Sequence, residues 1–403
     1  MSVTGTEKTA EETGSAGAVK KTGAATEREK AYLHWLYQAA GFGGRGFVRM
    51  LSPFGTAEEI YGLLLSGKLA ERVSPRYAKK VAQMSEFSGN YDVEGVYEKM
   101  RGRGIRLITE RDADFPKRLR KIPDPPFALY CAGRLPREEK KAVALIGARD
   151  CTEYGRLMAE QFGTAFAGAG VQVVSGMARG IDGIAQAAAL QAGGYSLGIL
   201  GCGVDICYPR ENRTLYEALL ESGGVCSEYP PGIEPRAALF PPRNRIISGF
   251  CDAVLVVEAR EKSGTLITVD MALEQGREVY ALPGRVTDPL SGGCNRLIRQ
   301  GAGLVSTPEE LLEELLGAFS GETYGKNGFR TKETQARMVF LEGIRGELLE
   351  LLDFSPLPAE ELQRRYEEKQ GKPIALPLLF QELLELCAAG CAGQIGGSYF
   401  MRY

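Results

Sequence analysis

Short apolar runs alternate with amphipathic stretches through the middle of the chain, from about residue 140 to about residue 305. Runs such as AVALI (142–146) and AVLVV (253–257) are continuously apolar, and each is followed by a segment whose apolar residues recur at helical spacing. Strands of this kind are buried on both faces. The pattern therefore predicts an α/β fold in which helices cover both sides of a parallel sheet. We assign residues 106–316 to this core, including a connector with two short strands at its start.

The segments on either side have different patterns. Between 28 and 105 the apolar spacing is helical around a glycine-rich turn, and Thr56 is suited to cap a helix. This predicts a helical domain, either of helix-hairpin-helix or SAM-like type or a plain helical packing domain. Residues 336–403 have the element order of a winged helix, with three helices before two short strands. Residues 1–27 have almost no large apolar side chain and are expected to be a disordered tail. Residues 317–335, rich in Gly, Lys and Thr, are expected to be a linker.

Composition narrows the class of protein. The net charge of −2 over 403 residues argues against a polybasic nucleic-acid binder, although a local basic groove stays compatible with it. The nine cysteines form no CxxC pair and His34 is the single histidine, which argues against a zinc cluster and against a histidine-dependent nucleophile. We interpret the cysteines as free thiols in a reducing compartment and His34 as a packed or surface residue. Because no apolar run approaches the ~20 residues that span a bilayer, we expect a cytoplasmic protein without a membrane span.

Four strand-to-helix junctions combine glycine with charged side chains. They are IGARDCTEYG (146–155), SGMARGID (175–182), LGCGVDICYPRENRTLY (200–216) and FPPRNRIISGFCDAVLVVEAREKSGTLIT (240–268). In an open α/β sheet the carboxyl ends of the strands form one edge, and ligands bind there. Several basic junctions along one edge are more typical of a row of phosphate-binding positions than of a single nucleotide pocket.

The second junction shows the expected chemistry. Ser175 and Gly176 leave a strand, and the following turn is expected to expose backbone N–H groups at a helix N-terminus, which attracts anions. Arg179 adds a guanidinium fork that suits phosphate, and Gly180 permits close approach of a backbone. Asp182 is suited either to cap the helix or to orient Arg179.

Other chemistries have weaker support in the sequence. No GxxxxGK[ST] loop is present and GxGxxG is absent from the first junction, so we expect neither an ATP nor an NAD site, no metal and no cofactor. We interpret Glu258 and Asp205 as buried ion-pair partners of Arg245 or Arg243. Three aromatic side chains are suited either to stack on bases or to fill the interface between sheet and helices: Tyr154, Tyr208 and Phe240.

Taken in order, the motifs resemble the DNA-processing protein A family (DprA, also called Smf). The matching stretches are ALIGARDCTEYG, SGMARGID, LGCGVDICYPRENRTLY, FPPRNRIISG, VVEAREKSGTLIT, GREVYALPG and GCNRLIRQGA. The resemblance covers about residues 28–310 and extends to the C-terminal helical domain. It implies an extended Rossmann-like fold, binding of single-stranded DNA, a homodimer, and loading of the RecA recombinase during natural transformation, with no established enzymatic activity.

Carried over by motif, the resemblance also implies a DNA-binding groove at the sheet edge. Its expected DNA- and phosphate-binding residues are Arg149, Ser175, Gly176, Arg179, Gly180, Arg243, Asn244, Arg245, Lys262, Ser263, Gly264 and Thr265. If such a groove neutralises several phosphates, its affinity for DNA should fall steeply as salt is added.

Two other interpretations remain open at this point. One is a nucleotide-processing enzyme on the same fold, similar to the "lonely guy" phosphoribohydrolases, although the PGGxGTxxE signature of that family is missing. The other is a docking protein whose arginines are all ion-paired. In the winged-helix-like domain, the segment 376–389 carries Gln381, Glu382 and Glu385 but no Lys or Arg, which favours a protein contact or a structural role over reading the DNA major groove.

Overall fold

The computed structural model describes residues 24–41, 44–317, 343–353, 356–389, 391–395 and 397–402. Most of the expected tail (1–27) and of the expected linker (317–335) lies outside these ranges. None of the helices in the described ranges is long and apolar enough to cross a bilayer.

Six helices form the N-terminal part, as the helical spacing predicts. They are α1 (Glu27–Ala40), α2 (Gly44–Leu51), α3 (Ala57–Leu65), α4 (Lys68–Arg72), α5 (Ala78–Ser88) and α6 (Val93–Gly102). Thr56 caps α3 as expected: its hydroxyl accepts a hydrogen bond from the Glu59 N–H, and the Glu59 carboxylate accepts one from the Thr56 N–H. The fully buried Trp35 donates its indole N–H to Ser88 at 2.9 Å, which fixes α1 against α5.

A nine-stranded sheet has the order β1-β2-β6-β5-β4-β3-β7-β8-β9. Its strands are β1 (Arg106–Thr109), β2 (Ala128–Gly133), β3 (Ala142–Ile146), β4 (Gln172–Ser175), β5 (Ser196–Ile199), β6 (Gly224–Ser227), β7 (Ala253–Val256), β8 (Glu278–Ala281) and β9 (Gly303–Leu304). From β6 to β9 in this order every pairing is parallel, which confirms the predicted sheet. The connector strands β1 and β2 extend the sheet antiparallel, through the pairing of β2 with β6.

Helices cover both faces of the sheet. They are α7 (Lys117–Arg120), α8 (Glu153–Gly168), α9 (Ile181–Gln191), α10 (Arg213–Ser222), α11 (Phe240–Phe250), α12 (Gly264–Glu274), α13 (Gly292–Arg299) and α14 (Pro308–Leu316). In β3, Val143 and Leu145 pack in the apolar cluster with α8, α9 and α14, whereas Ala144 and Ile146 pack with α11, α12 and α13. The strand is therefore apolar throughout because it contributes to two cores.

The order of the strands creates a topological switch point at β3. Chain connections run from β3 through β4 and β5 to β6 on one side, and then cross to β7, β8 and β9 on the other. Open α/β sheets bind ligands in the crevice at such a point, outside the carboxyl ends of the strands. The four motif-bearing junctions follow β3, β4, β5 and β7, which are neighbours in the sheet, so they lie side by side as predicted.

The N-terminal helices share an apolar cluster with the β2–β6 end of the sheet, which includes Trp35, Tyr130 and Leu219. His34 is 1% exposed, and its Nδ1 lies 2.9 Å from the Tyr130 hydroxyl. Burial lowers the pKa of His34 to about 4, so the ring is neutral at pH 7. The single histidine is therefore a packed residue, as expected. All nine cysteines are free, and three of them are partly exposed: Cys151, Cys207 and Cys387.

The C-terminal part has the predicted element order with one additional short strand. Its elements are α15 (Ile344–Leu351), β10 (Leu357–Pro358), α16 (Ala359–Gln370), α17 (Leu376–Ala388), β11 (Ala392–Ile395) and β12 (Tyr399–Arg402). The three strands form an antiparallel sheet in the order β10-β12-β11. Leu348, Leu383 and Phe400 lie in a core of their own. On α17, Glu382 accepts a hydrogen bond from Arg345 at 2.5 Å.

Candidate nucleic-acid interface

Two clefts lie side by side over the carboxyl ends of β5, β4, β3 and β7. The first has a volume of about 570 Å³ and lies at the switch point, between the junctions after β3 and β7. The second, of about 560 Å³, lies over the junctions after β4 and β5. They share a set of lining residues: Arg149, Ala178, Tyr208, Pro235, Phe240 and Arg243. The two clefts therefore form one continuous feature, which we call the edge groove.

Exposed cations line the edge groove or, in the case of Lys262, lie directly beside it. Arg149, Arg210 and Lys262 are exposed, and none of them contacts a carboxylate within the part of the chain that the structure describes. Arg179 lies 3.8 Å from Asp150, but the two side chains are 53% and 89% exposed. A pair so accessible to water contributes little and can exchange its partner readily. Arg149, Arg179 and Lys262 were expected from the sequence; Arg210 was not among the expected binding residues, although it stands within the third junction motif.

Arg243 forms the floor of the edge groove rather than its surface. The residue is 6% exposed, and its Nη1 donates to the Gly176 carbonyl at 3.0 Å and also to the Ile199 carbonyl. Its Nε lies 3.2 Å from the side-chain oxygen of Asn244. Burial lowers the pKa of Arg243 to about 10, and Asp182 acts in the opposite direction. The guanidinium is therefore still cationic at pH 7 and contributes positive potential from below.

The polar groups of the SGMARGID turn form hydrogen bonds within the protein. Ser175 is fully buried and donates its hydroxyl to the Leu145 carbonyl at 2.6 Å. The Gly176 N–H donates to Asp182 at 3.1 Å, and the Met177 N–H donates to Gln186 at 3.0 Å. The expectation that this turn exposes free N–H groups to an anion is therefore wrong at both positions, because side chains from α9 already accept these hydrogens.

Gly180 allows close approach of the protein's own chain. Its φ is +71°, and a Cβ atom at this position would lie 2.3 Å from the Ala148 carbonyl oxygen. The next residue, Ile181, donates its N–H to the same carbonyl at 3.2 Å. Glycine is thus required where the first and second junctions meet. Asn212 of the third junction donates to the carbonyls of both Met177 and Ala178 at 3.0 Å, so three junctions are fastened together.

Arg245 forms ion pairs with carboxylates away from the edge groove. It is 5% exposed, its Nη2 donates to both carboxylate oxygens of Glu228 at 2.8 and 2.9 Å, and its Nε donates to Asp124 at 3.1 Å. Arg245 is absent from the lining of both clefts. Its position supports a structural role instead of a contact with DNA.

The carboxylates predicted to pair with these arginines have other partners. Glu258 accepts hydrogen bonds from the N–H of Thr152 at 2.9 Å and from its hydroxyl at 2.5 Å. Asp205 forms an ion pair with Arg103 at 2.9 Å and accepts from the Gly232 N–H. The predicted assignment of Glu258 and Asp205 to Arg243 or Arg245 is therefore wrong. The actual partners are Thr152 at the start of α8, Arg103 at the end of α6 and Gly232 in a loop.

Two of the three candidate aromatic residues lie in the edge groove. The rings of Tyr208 and Phe240 are stacked, with centroids 5.5 Å apart and planes inclined by 30°. Tyr208 is 41% exposed, so it is accessible to a ligand. Tyr154 instead donates its hydroxyl to the Pro283 carbonyl at 3.2 Å and packs against the core on the α8 side.

The start of α12 closes the first cleft. Ser263 caps the helix by accepting the Thr265 N–H at 3.1 Å, and the Thr265 hydroxyl donates to the Gly147 carbonyl at 3.2 Å. Gly264 is exposed, and its N–H has no acceptor within the described residues. This helix start therefore offers a backbone donor to a ligand in the first cleft.

Comparison with known proteins decides the family. The family model for DNA recombination-mediator protein A matches residues 106–316. The chain belongs to this family. Protein Smf of Escherichia coli (strain K12) is 40% identical over 295 residues, which are 73% of this chain and 76% of that protein. DNA processing protein DprA of Bacillus subtilis (strain 168) is 39% identical over 232 residues, which are 56% and 78%. The X-ray structure of DNA processing protein A from Streptococcus pneumoniae matches with a TM-score of 0.59 and 34% identity, over 71% of this chain and 98% of that one.

All of the binding residues expected for a member of this family fall within the matched region, but the edge groove brings together only some of them. Its lining includes Arg149, Gly176, Arg179, Arg243, Asn244, Ser263, Gly264 and Thr265. Lys262 is exposed beside it, at the residue before Ser263. Ser175, Gly180 and Arg245 are outside the lining. The lining itself adds Arg210, which stands in the third junction motif, and Pro235, which lies outside the motifs.

Proposed function

We propose that this protein binds single-stranded DNA along the edge groove. The observation that carries the proposal is the row of exposed cations Arg149, Arg179 and Arg210 beside the stacked rings of Tyr208 and Phe240. Proteins bind single strands by placing cations along the phosphates and aromatic rings against the bases. A duplex keeps its bases stacked in its interior, so its base faces are not accessible to these rings.

The proposal has a wider scope than the groove. We infer that the protein acts as a homodimer in the cytoplasm, protects incoming DNA and loads it onto the RecA recombinase during natural transformation, without catalysing a reaction itself. The family description as a recombination mediator supports this role. An open groove at a sheet edge, rather than a closed channel, suits a protein that has to release its strand to another protein.

The competing function is the processing of a single nucleotide. The first cleft, at about 570 Å³, has the volume of a small-molecule site. Asp182 is the carboxylate in its lining, and it already accepts the Gly176 N–H beside the Arg243 guanidinium. Incubation with nucleoside monophosphates tests this function, because release of free base would favour the enzyme. The docking alternative required paired arginines, whereas Arg149 and Arg210 contact no carboxylate among the described residues.

The DNA-binding proposal is tested by salt-dependent binding of oligo-dT and of a duplex of equal length. The groove variant combines Arg149→Ala, Arg179→Ala and Arg210→Ala. The control combines Arg28→Ala, Arg156→Ala and Arg364→Ala, which are exposed arginines on other elements. A single strand loses about 0.7 of log–log salt slope for each lost phosphate contact, so the groove variant should lose about 2. An unchanged affinity and slope in the groove variant would overturn the proposal.

A further inference from the structure

A second group of cations lies far from the sheet edge in sequence, on the N-terminal helices. Between residues 68 and 80 the chain carries five basic side chains and a single acidic one, Glu71. We call the five the helical patch: Lys68, Arg72, Arg76, Lys79 and Lys80. Four of them are exposed, and Lys80 is partly buried. The short helix α4, the turn after it and the start of α5 carry the patch.

The helical patch differs from its surroundings in ion pairing. Elsewhere on the N-terminal helices and just after them, five basic side chains contact carboxylates at 2.7 to 3.1 Å: Arg28, Lys30, Arg49, Arg101 and Arg103. Within the described residues, no member of the helical patch has such a contact. Grouping like charges without counterions raises the folding free energy, so a cluster of this kind is expected where a polyanion supplies the missing charge.

The structure around the helical patch holds its charges in place. The Arg76 guanidinium lies 4.7 Å from the Tyr77 ring centroid, and Tyr77 is itself held 5.2 Å from the Phe47 ring. Helix α5 begins directly after Tyr77 without a side-chain cap, so the positive end of its dipole adds to the patch. A Cβ atom on Gly41, at the glycine-rich turn, would lie 4.0 Å from the Lys80 ammonium, so the patch reaches that turn.

We propose that the helical patch is a second contact site for the phosphates of a nucleic acid, separate from the edge groove. This inference rests on the proposed function only in taking DNA as the ligand. The site would bind the sugar–phosphate backbone without reading bases, because lysine and arginine ends meet phosphates in any sequence. It would engage either the continuation of the bound single strand or an adjoining duplex, which share this chemistry.

The side chains between the cations favour nucleic acid over a lipid surface. Exposed uncharged positions between Lys68 and Lys80 carry only Ala, Ser or Pro, and the exposed large apolar side chains Leu65 and Phe87 lie outside this segment. A helix that lies on a membrane needs large apolar residues beside its cations to enter the acyl region. The buried residues of this segment, such as Leu69 and Val73, belong to the core of the N-terminal helices. The patch is therefore a polar, positively charged surface, as phosphate backbones require.

The test measures how neutralising the patch changes binding by the full-length protein. The patch variant combines Arg72→Gln, Arg76→Gln and Lys79→Gln. The control combines Lys121→Gln, Lys140→Gln and Lys372→Gln, which are exposed lysines with equal loss of charge. Ligands are a 40-nucleotide oligo-dT, a 40-base-pair duplex, an oligo-dT with one duplex end, and phosphatidylglycerol vesicles. Because all substituted side chains are exposed, thermal unfolding of both variants should match the wild type. Arg72→Gln alone gives a second, milder variant.

The expected result is a loss of salt slope for DNA. The patch variant should lose about 2 in log–log slope if the single strand is the ligand and about 2.7 if it is the duplex, and Arg72→Gln about a third of either value. The control should keep the wild-type slope. Equal slopes for patch variant and control on every DNA would overturn the inference, as would a loss of vesicle binding alone. If wild type binds duplex through the patch but ignores oligo-dT, the proposed groove function fails while the patch stands.

Discussion

Replacing Arg245 by alanine is expected to destabilise the protein without removing a contact to DNA. The Arg245 side chain is 6% exposed and faces Glu228, whose side chain is 3% exposed. Two hydrogen bonds of 2.8 and 2.9 Å join the guanidinium to both carboxylate oxygens. Alanine would remove the cation that faces this buried carboxylate, while the lining of the edge groove would keep all of its residues.

The size of the effect follows from burial. Removing one member of a buried ion pair costs about 3–5 kcal/mol, because the remaining charge stays in a poorly solvated place. The second contact of Arg245 is to Asp124, whose side chain is 35% exposed, and its loss adds little to the destabilisation. One kcal/mol shifts the melting temperature of a domain of this size by about 2–4 °C, so Arg245→Ala should lower it by roughly 6–20 °C.

Thermal unfolding followed by circular dichroism measures this shift. The double variant Arg245→Met with Glu228→Met removes both charges and should recover most of the lost stability, because apolar side chains replace buried ion pairs at little cost. Oligo-dT binding by Arg245→Ala, measured well below its transition, should match the wild type. A melting temperature within about 2 °C of wild type together with a tenfold loss of affinity would refute the reasoning and make Arg245 a DNA contact.

Two more outcomes follow from single side chains. The pKa of His34 in the folded protein, about 4, is below its ordinary value of 6.5. As the pH falls, the unfolded chain therefore takes up the proton before the folded protein does. The free energy of unfolding that is present above pH 6.5 decreases as the pH falls to 4, by up to about 3 kcal/mol. Urea unfolding of His34→Asn should show a smaller fall between pH 7 and 4.5, and an identical fall would contradict the burial argument. Tyr208→Ala should weaken oligo-dT binding by about 1–3 kcal/mol through lost stacking, whereas Tyr208→Phe should bind as wild type; equal losses would exclude stacking as the cause.

The sequence predicts the sheet because burial on both faces leaves a local signature. Each strand from β3 to β8 is a short apolar run, and the helix that follows it has its own period. The antiparallel extension by β1 and β2 leaves no such signature. Tyr130 pairs with Ser227, almost a hundred residues later, and neither run shows which strand it will meet or in which direction. Orientation depends on contacts that only the folded chain makes.

For the site, residue type was predictable and burial was not. Arg243 and Arg245 stand two residues apart on α11, and an α-helix turns by about 200° over two residues, so their side chains leave on opposite sides. That periodicity was present in the sequence and indicates that both cannot line one groove. The partners Glu228 and Asp124 lie outside the motif, so local patterns do not reveal them. At the SGMARGID turn, glycines and small residues indicate a tight backbone turn. This pattern is the same whether the turn binds a ligand or forms hydrogen bonds within the protein.

Arg243 also determines what a redesign of this surface has to preserve. Its guanidinium is bonded to the Gly176 and Ile199 carbonyls, at the ends of two central strands. Carbonyl oxygens carry partial negative charge, and without the arginine the floor beneath a bound phosphate would be electronegative. An engineer who transplanted only the exposed residues to another scaffold would therefore copy the rim and lose its support. A working graft has to include this hidden cation together with Asp182, which opposes the lowering of the Arg243 pKa by burial.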